Sequence, residues 1–364
     1  MKMGRFIVDT HVHSQRIAAG ATLRQKSGAT GGGDASGGYK YTDLAEALRV
    51  LEPYDNSERL LYDMKAYDVD MCIIRPSMSL GMNNELNVQL VEKHPDRFAA
   101  LCNPRGTFAK VMRGEMEWTI DAACRELDDL LRTKKFVGIG EGMPIDPMVL
   151  EGKKPQPSRE ERIAQMSVAM DVAREHKVPI YFHTGHTMGY VLRMPETLQP
   201  LWAHELADNY PDVPLIFDHG GIQGGWWEHF TDQCLHVAGA HDNVYLECGY
   251  WWTELYDKAL NDPNVGAEKL LWGTDWGASI PIYGQRGRHP ATYPVQLRKQ
   301  GVVTHQVDCW GWSLKQIARL DIPQDDLNLI LGGNAVRLFK LKFPLTRMFK
   351  PVQAVKSRPG TGCC

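Results

Sequence analysis

The sequence predicts a (β/α)8 barrel on three observations: eight short apolar runs, helical spacing of apolar residues between them, and ionisable side chains closing several runs. The runs cover 6–11, 69–76, 98–104, 136–142, 179–185, 214–221, 244–250 and 270–276. They are apolar at nearly every position, which suits strands of a parallel sheet covered on both faces by crossover helices. Between them, Leu60, Leu61, Met64 and Tyr67 share one face of 58–67, and Cys124, Leu127, Leu130 and Leu131 share one face of 121–132. Similar segments span 159–176 and 196–210. An open doubly wound sheet gives the same local pattern, but no Gly-x-Gly-x-x-Gly turn follows the first run, which weakens the dinucleotide-binding alternative. Eight strands alternating with helices over this length is the arithmetic of a closed barrel.

The barrel is expected to be one catalytic domain over 1–345, followed by a tail over 346–364 that ends Cys363-Cys364. Two stretches break the rhythm, and both leave the carboxyl end of a strand, the first and the eighth. Residues 20–38 are glycine-rich, and 277–312 is long and carries Arg286, Arg288, His289, His305, Trp310 and Trp312. Barrel enzymes build active sites on that face, so a lid and a tolerated surface insertion are both open readings.

Composition excludes several classes. The 364 residues are 43% hydrophobic and 23% charged, with 41 Lys+Arg against 44 Asp+Glu and a net charge of -3. Such a balance gives no electrostatic reason to expect nucleic acid or an anionic membrane as partner. No run of about 18 apolar residues predicts a transmembrane helix, and the start lacks the apolar stretch of a secretory signal. Six of the eight cysteines, Cys72, Cys102, Cys124, Cys234, Cys248 and Cys309, stand singly along the chain. Reduced thiols in the cytoplasm are the expectation.

Asp9-Thr10-His11-Val12-His13 carries the strongest chemical signal. With a period of two, Asp9, His11 and His13 point to one side of the strand, so two imidazoles meet at its carboxyl end. Paired neutral imidazoles suit zinc, with manganese as the alternative. Asp9, one step deeper, is expected to accept a ring NH and fix the tautomer. His183, His219 and Asp275 each close an apolar run, the fifth, sixth and eighth. Barrel closure gathers those ends around one pocket, at a depth where packing alone would favour apolar residues.

This set, with Gly273-Thr274-Asp275-Trp276, resembles the amidohydrolase superfamily, and within it the amidohydrolase-related branch that includes aminocarboxymuconate-semialdehyde decarboxylase. The segment from Ile330 to Phe339 is similar to that branch as well. The resemblance implies His11, His13, His183 and Asp275 as ligands of one divalent ion, with His219 as the acid/base beside its water. Asp275 can serve as ligand, proton acceptor or both. The fourth run ends Gly140-Glu141-Gly142 and offers no lysine to carbamylate as the bridge of many two-metal members. Glu141 can bridge two metals, as a similar pattern in TatD-like nucleases implies, or act as a structural carboxylate paired with a barrel arginine.

Arg75 and Arg105, after the second and third strands, are candidate anchors for a substrate carboxylate, or loop braces. His186 and Trp276 are candidate substrate contacts. The aromatic cluster that holds Tyr250, Trp251, Trp252 and Trp276 suits a flat cyclic substrate and offers an apolar face for a homodimer. The remaining histidines, such as His94, His176, His204 and His241, read as solvent-facing. Three functions remain: hydrolysis of a small, cyclic or aromatic carboxylated substrate by activated water, non-oxidative decarboxylation of an aromatic or muconate-like acid, and metal binding without turnover.

Overall fold

The eight apolar runs become eight parallel strands that close on one another. The computed structural model describes residues 6–17, 53–55, 57–76, 83–141, 143–150, 153–184, 199–222, 227–276 and 309–342. The strands are β1 (Val8–Val12), β4 (Met71–Ile74), β5 (Phe98–Cys102), β6 (Gly138–Ile139), β7 (Ile180–His183), β8 (Leu215–Asp218), β9 (Val244–Glu247) and β10 (Leu270–Leu271), paired in that order. A short antiparallel pair, β2 (Gln15–Ile17) with β3 (Pro53–Asp55), was not expected from the sequence; it flanks the glycine-rich stretch. The barrel closes where Thr10 N donates to Trp272 O at 2.9 Å and His13 N donates to Trp276 O at 2.7 Å.

Alternation divides the strand residues into two cores. Val8, Ile73, Leu101, Tyr181, Ile216, Tyr245 and Leu271 fill the barrel interior, where Leu338 and Phe339 pack against them from the end of the chain's last described helix. Residues one step away, such as Cys72, Ala100, Phe182, Phe217 and Leu246, face outward and pack with helix residues Leu60, Leu127 and Met166. Helix Ile120–Arg132 shows the logic: Thr119 caps it by accepting from Ala122 N, and its apolar stripe buries Cys124, Leu127 and Leu131. Each such leucine contributes about 1.5–3 kcal/mol by leaving water. Among the described residues, no helix is long and apolar enough to cross a membrane, and the five described cysteine side chains are buried thiols.

The structure moves one boundary. Trp310 and Trp312, read as part of the insertion after the eighth strand, belong to helix Cys309–Ile317, and Trp310 is fully buried. Residues 20–38, 277–308 and 346–364, with His186, lie outside the described residues.

Candidate metal centre

The floor of the site is a buried layer of charge. Above Ile73, Ile216 and Tyr245, the next inward-facing positions are Arg75, Asp218 and Glu247, all at 0% exposure. Arg75 donates to Asp218 Oδ1 at 2.9 Å and to Glu247 Oε2 at 3.0 Å, and its guanidinium lies over the Tyr181 ring at 4.2 Å. The expectation that Arg75 anchors substrate is therefore corrected: both its amino ends are consumed inside the barrel. Burial pushes the Asp218 carboxyl up to about 6 against the pull of Arg75. In Glu247 the same burial is outweighed by His11 and Arg75, which hold its carboxyl at about 2. Gly273 makes room for this layer, since a Cβ there would stand 2.6 Å from the Glu247 carboxyl carbon.

His11 and His13 rise from the floor. His11 donates from Nδ1 to Glu247 Oε1 at 2.6 Å, and His13 donates from Nδ1 to the Arg75 carbonyl at 3.0 Å. Each Nδ1 is thus a donor and the two Nε2 atoms face each other across 3.2 Å; against burial and Arg75, the carboxylates of Glu247 and Asp275 draw the His11 imidazole well above its ordinary range. Asp275 Oδ1 stands 3.2 Å from His11 Nε2 and 3.0 Å from His13 Nε2. It is buried and has no hydrogen-bond partner.

These three atoms fit a cation. Ligands bonded to a tetrahedral zinc at about 2.0–2.2 Å lie about 3.3–3.6 Å from one another, and the observed 3.0–3.2 Å lies just under that range's lower edge. Two Nε2 atoms and a carboxylate oxygen this close call for positive charge among them, a proton on an imidazole or a metal ion in its place. The wider balance agrees: among the described residues Arg75 pairs with Asp218 and Glu247, while Glu141 and Asp275 add two further carboxylates beside them, none of the four more than 13% exposed. Uncompensated buried charge is costly, and a divalent ion offsets it.

A second group stands beside the first. His183 Nε2 lies 3.5 Å from Glu141 Oε1, while Glu141 Oε2 lies 3.6 Å from His13 Nε2. Burial raises the Glu141 carboxyl, yet His183 and His13 hold it well below the usual carboxylate range. Glu141, His183 and His219 form a set with ligand atoms within 4.8 Å of one another. The structure thus brings His11, His13 and Asp275 together directly and connects His183 to them through Glu141. Glu141 turns to imidazoles, with no direct bond to a barrel arginine among the described contacts.

His219 is enclosed by rings: His11 at 4.9 Å, His183 at 4.9 Å and Tyr250 at 5.0 Å between centroids. Neither of its nitrogens has a hydrogen-bond partner, although the residue is 1% exposed. Burial, then the neighbouring His183 and His11, push it down to about 3, so it is a neutral imidazole. Strict alternation would let only one of Asp218 and His219 face inward. A left-handed turn at His219 (φ 59) brings both in, and Asp275 is left-handed as well (φ 53). Left-handed backbone at residues other than glycine costs about 1–2 kcal/mol and is characteristic of functional sites.

Asp9 departs from its expected role. Between Asp9 and Val12, β1 advances three residues while β4 advances two, from Cys72 to Ile74, so a bulge resets the alternation. Asp9 faces outward and accepts from Trp310 Nε1 at 2.6 Å, Thr274 Oγ1 at 2.5 Å, Thr274 N at 3.1 Å and the backbone N of His11 at 2.9 Å. It ties together the segments that carry His11 and Asp275, and Glu247 holds the ring NH instead. Arg105 packs its guanidinium over Phe108 at 4.6 Å and is 4% exposed. Trp276 donates Nε1 to Asp63 at 3.1 Å in the core. His176, expected in solvent, bonds Asp128 at 2.7 Å with its side chain 7% exposed.

Sequence reasoning missed Asp218, Glu247 and the role of Tyr250. Glu247 closes an apolar run just as His183 does, so the same rule would have found it.

The fold is shared with solved structures of low identity. The 5-carboxyvanillate decarboxylase of Sphingomonas paucimobilis matches with a TM-score of 0.53 and 14% identity over 93% of this chain and 100% of that one. A Pseudomonas putida protein assigned as a 2-pyrone-4,6-dicarboxylic acid hydrolase matches with a TM-score of 0.53 and 14% identity, over 93% and 99%. An Acinetobacter baumannii protein with the same assignment and citric acid bound gives 0.51 and 13%, over 92% and 99%. No curated protein sequence matches the chain. Residues 8–341, essentially the whole barrel, match the family profile described as amidohydrolase, and the chain is an enzyme belonging to that family.

Proposed function

We propose that the protein is a metal-dependent hydrolase of a small carboxylated ring compound, with His219 as its proton carrier. The observation that carries this reading is the convergence of His11 Nε2, His13 Nε2 and Asp275 Oδ1 within 3.0–3.2 Å of one another, beside an imidazole with both nitrogens unpartnered. One divalent ion, zinc in the first instance and manganese as the alternative, is held by these atoms, with His183 and Glu141 adjoining. When bound, such an ion polarises a carbonyl oxygen and acidifies a water ligand.

The chain's own groups do the rest. Glu247 and the Arg75 carbonyl keep both imidazole protons on Nδ1, so that Nε2 always faces the centre. His219, neutral in its ring of aromatic neighbours, accepts a proton from water. The resulting imidazolium passes the proton to the departing atom. Tyr250 and the buried rings keep bulk water from the exchange.

Decarboxylation of an aromatic acid uses the same residues and is the second reading. The names of the structural relatives support a carboxylated ring for either reaction. Hydrolysis stands first because a water beside the ion site, within reach of an imidazole whose two nitrogens are both unpartnered, is the reactant these residues supply directly.

Product analysis tests the choice. The metal-loaded protein is presented with pyrone carboxylates, other cyclic lactones, cyclic amides and carboxylated phenols. Ring opening without carbon dioxide is the expected result; carbon dioxide with the ring intact assigns the decarboxylase reading instead, and no turnover of any class counts against both.

A further inference from the structure

Tyr250 touches both halves of the site. It lies three residues past the end of β9, and its hydroxyl donates to Asp275 Oδ2 at 2.8 Å. Its ring stacks on the His219 imidazole, 5.0 Å away and 13° from parallel. The other Asp275 oxygen, Oδ1, is the one that faces His11 and His13. An aspartate carboxylate turns readily about its last torsion, so a free one can present either oxygen or both to a cation. A phenol on Oδ2 removes that freedom.

The segment that carries Tyr250 is itself fastened to the turn of His219. Trp251, the next residue, donates Nε1 to the carbonyl of Gly220, and Tyr256 donates its hydroxyl to the carbonyl of Cys248 at 2.7 Å. Gly220 must be glycine here: its φ is +51, and a Cβ would come 2.6 Å from Trp251 Nε1. Tyr250 therefore has a fixed place between a carboxylate and an imidazole, and a core packing role alone requires neither contact.

We propose that Tyr250 is a positioning residue: its hydroxyl holds Asp275 so that a single oxygen faces the ion, and its ring fixes the plane of His219. The inference rests on the reading of His11, His13 and Asp275 as an ion site, and the test separates the two. Cobalt(II) is bound to the full chain, and its visible absorption and dissociation constant are measured for wild type, Y250F and Y250L. Y250F keeps the ring and loses only the hydroxyl. It is expected to fold normally, bind cobalt(II) about tenfold more weakly, and show a weaker visible band as the second carboxylate oxygen joins the coordination. Y250L loses the ring too, and is expected in addition to open His219 to carbethoxylation by diethyl pyrocarbonate, read by peptide mass.

Wild-type spectrum and affinity in Y250F overturn the carboxylate role. His219 equally protected in folded Y250L overturns the stacking role. Failure of the wild-type chain to bind cobalt(II) brings down the ion reading and this inference together, an outcome distinct from wild-type binding with Tyr250 indifferent.

Discussion

His11 Nδ1 lies 2.6 Å from Glu247 Oε1, and the other oxygen of Glu247 lies 3.0 Å from Arg75. The imidazole is thereby fixed in one tautomer by a carboxylate that is itself held by a buried cation. Glu247→Gln keeps an acceptor for the ring proton but loses the charge. Divalent-ion affinity is expected to fall about 10- to 100-fold, measured by competition with a chromogenic chelator. An unchanged dissociation constant would mean that the ring is oriented by packing alone.

Arg75 is the hinge of the charged layer, and its removal strands two carboxylates in the barrel. Arg75→Met is expected to destabilise the fold by about 3–5 kcal/mol in urea unfolding, since breaking a buried pair leaves uncompensated charge. Adding Asp218→Asn to that variant should restore part of the loss, because the two changes remove partners of one contact. A loss below about 1 kcal/mol, or strictly additive changes, would show that the layer is solvated rather than paired.

The strands were legible because residues buried on both faces leave an apolar run with no alternation to misread, and His183, His219 and Asp275 stood out as polar closures of such runs. The facing of Asp9 was not legible. A bulge adds one residue to β1 and turns every expectation on its near side by one face, and nothing in Asp-Thr-His-Val-His announces it. The partners of Arg75, 143 and 172 residues away, were equally hidden, because only closure of the cylinder makes them neighbours. Trp310 was hidden for another reason: it begins a helix directly after a stretch whose composition reads as insertion.

Asp9 is now predicted to act through the backbone. It gathers Thr274, Trp310 and the amide of His11, and so sets the spacing of His11 and Asp275. Asp9→Ala removes the acceptor of four buried donors, of which Trp310 Nε1 keeps Thr274 Oγ1 at 2.9 Å, and a stability loss of about 1–3 kcal/mol per stranded group is expected, together with weaker ion binding. Urea unfolding of the metal-free and metal-loaded variant reads both; weaker folding with wild-type affinity would confine Asp9 to a structural role.

His219→Ala separates proton transfer from ion binding. The side chain lines the site without a bond to any described residue, so its loss breaks no hydrogen bond. The variant should retain one ion per chain by elemental analysis, while kcat falls about 10²- to 10⁴-fold. A second ion in the wild type, lost in the variant, would instead make His219 a ligand alongside Glu141 and His183.

Removal of the ion should cost folding stability, because the site exists only in the folded chain. A free ion at a hundredfold excess over its dissociation constant adds about 2.7 kcal/mol, which for a domain of this size corresponds to a Tm shift of about 3–5 °C. EDTA is therefore expected to lower Tm by that amount in the wild type and to leave Asp275→Asn nearly unmoved, since that variant trades the anionic oxygen facing His11 and His13 for a neutral amide. The same shift in both proteins would locate the stabilising ion elsewhere.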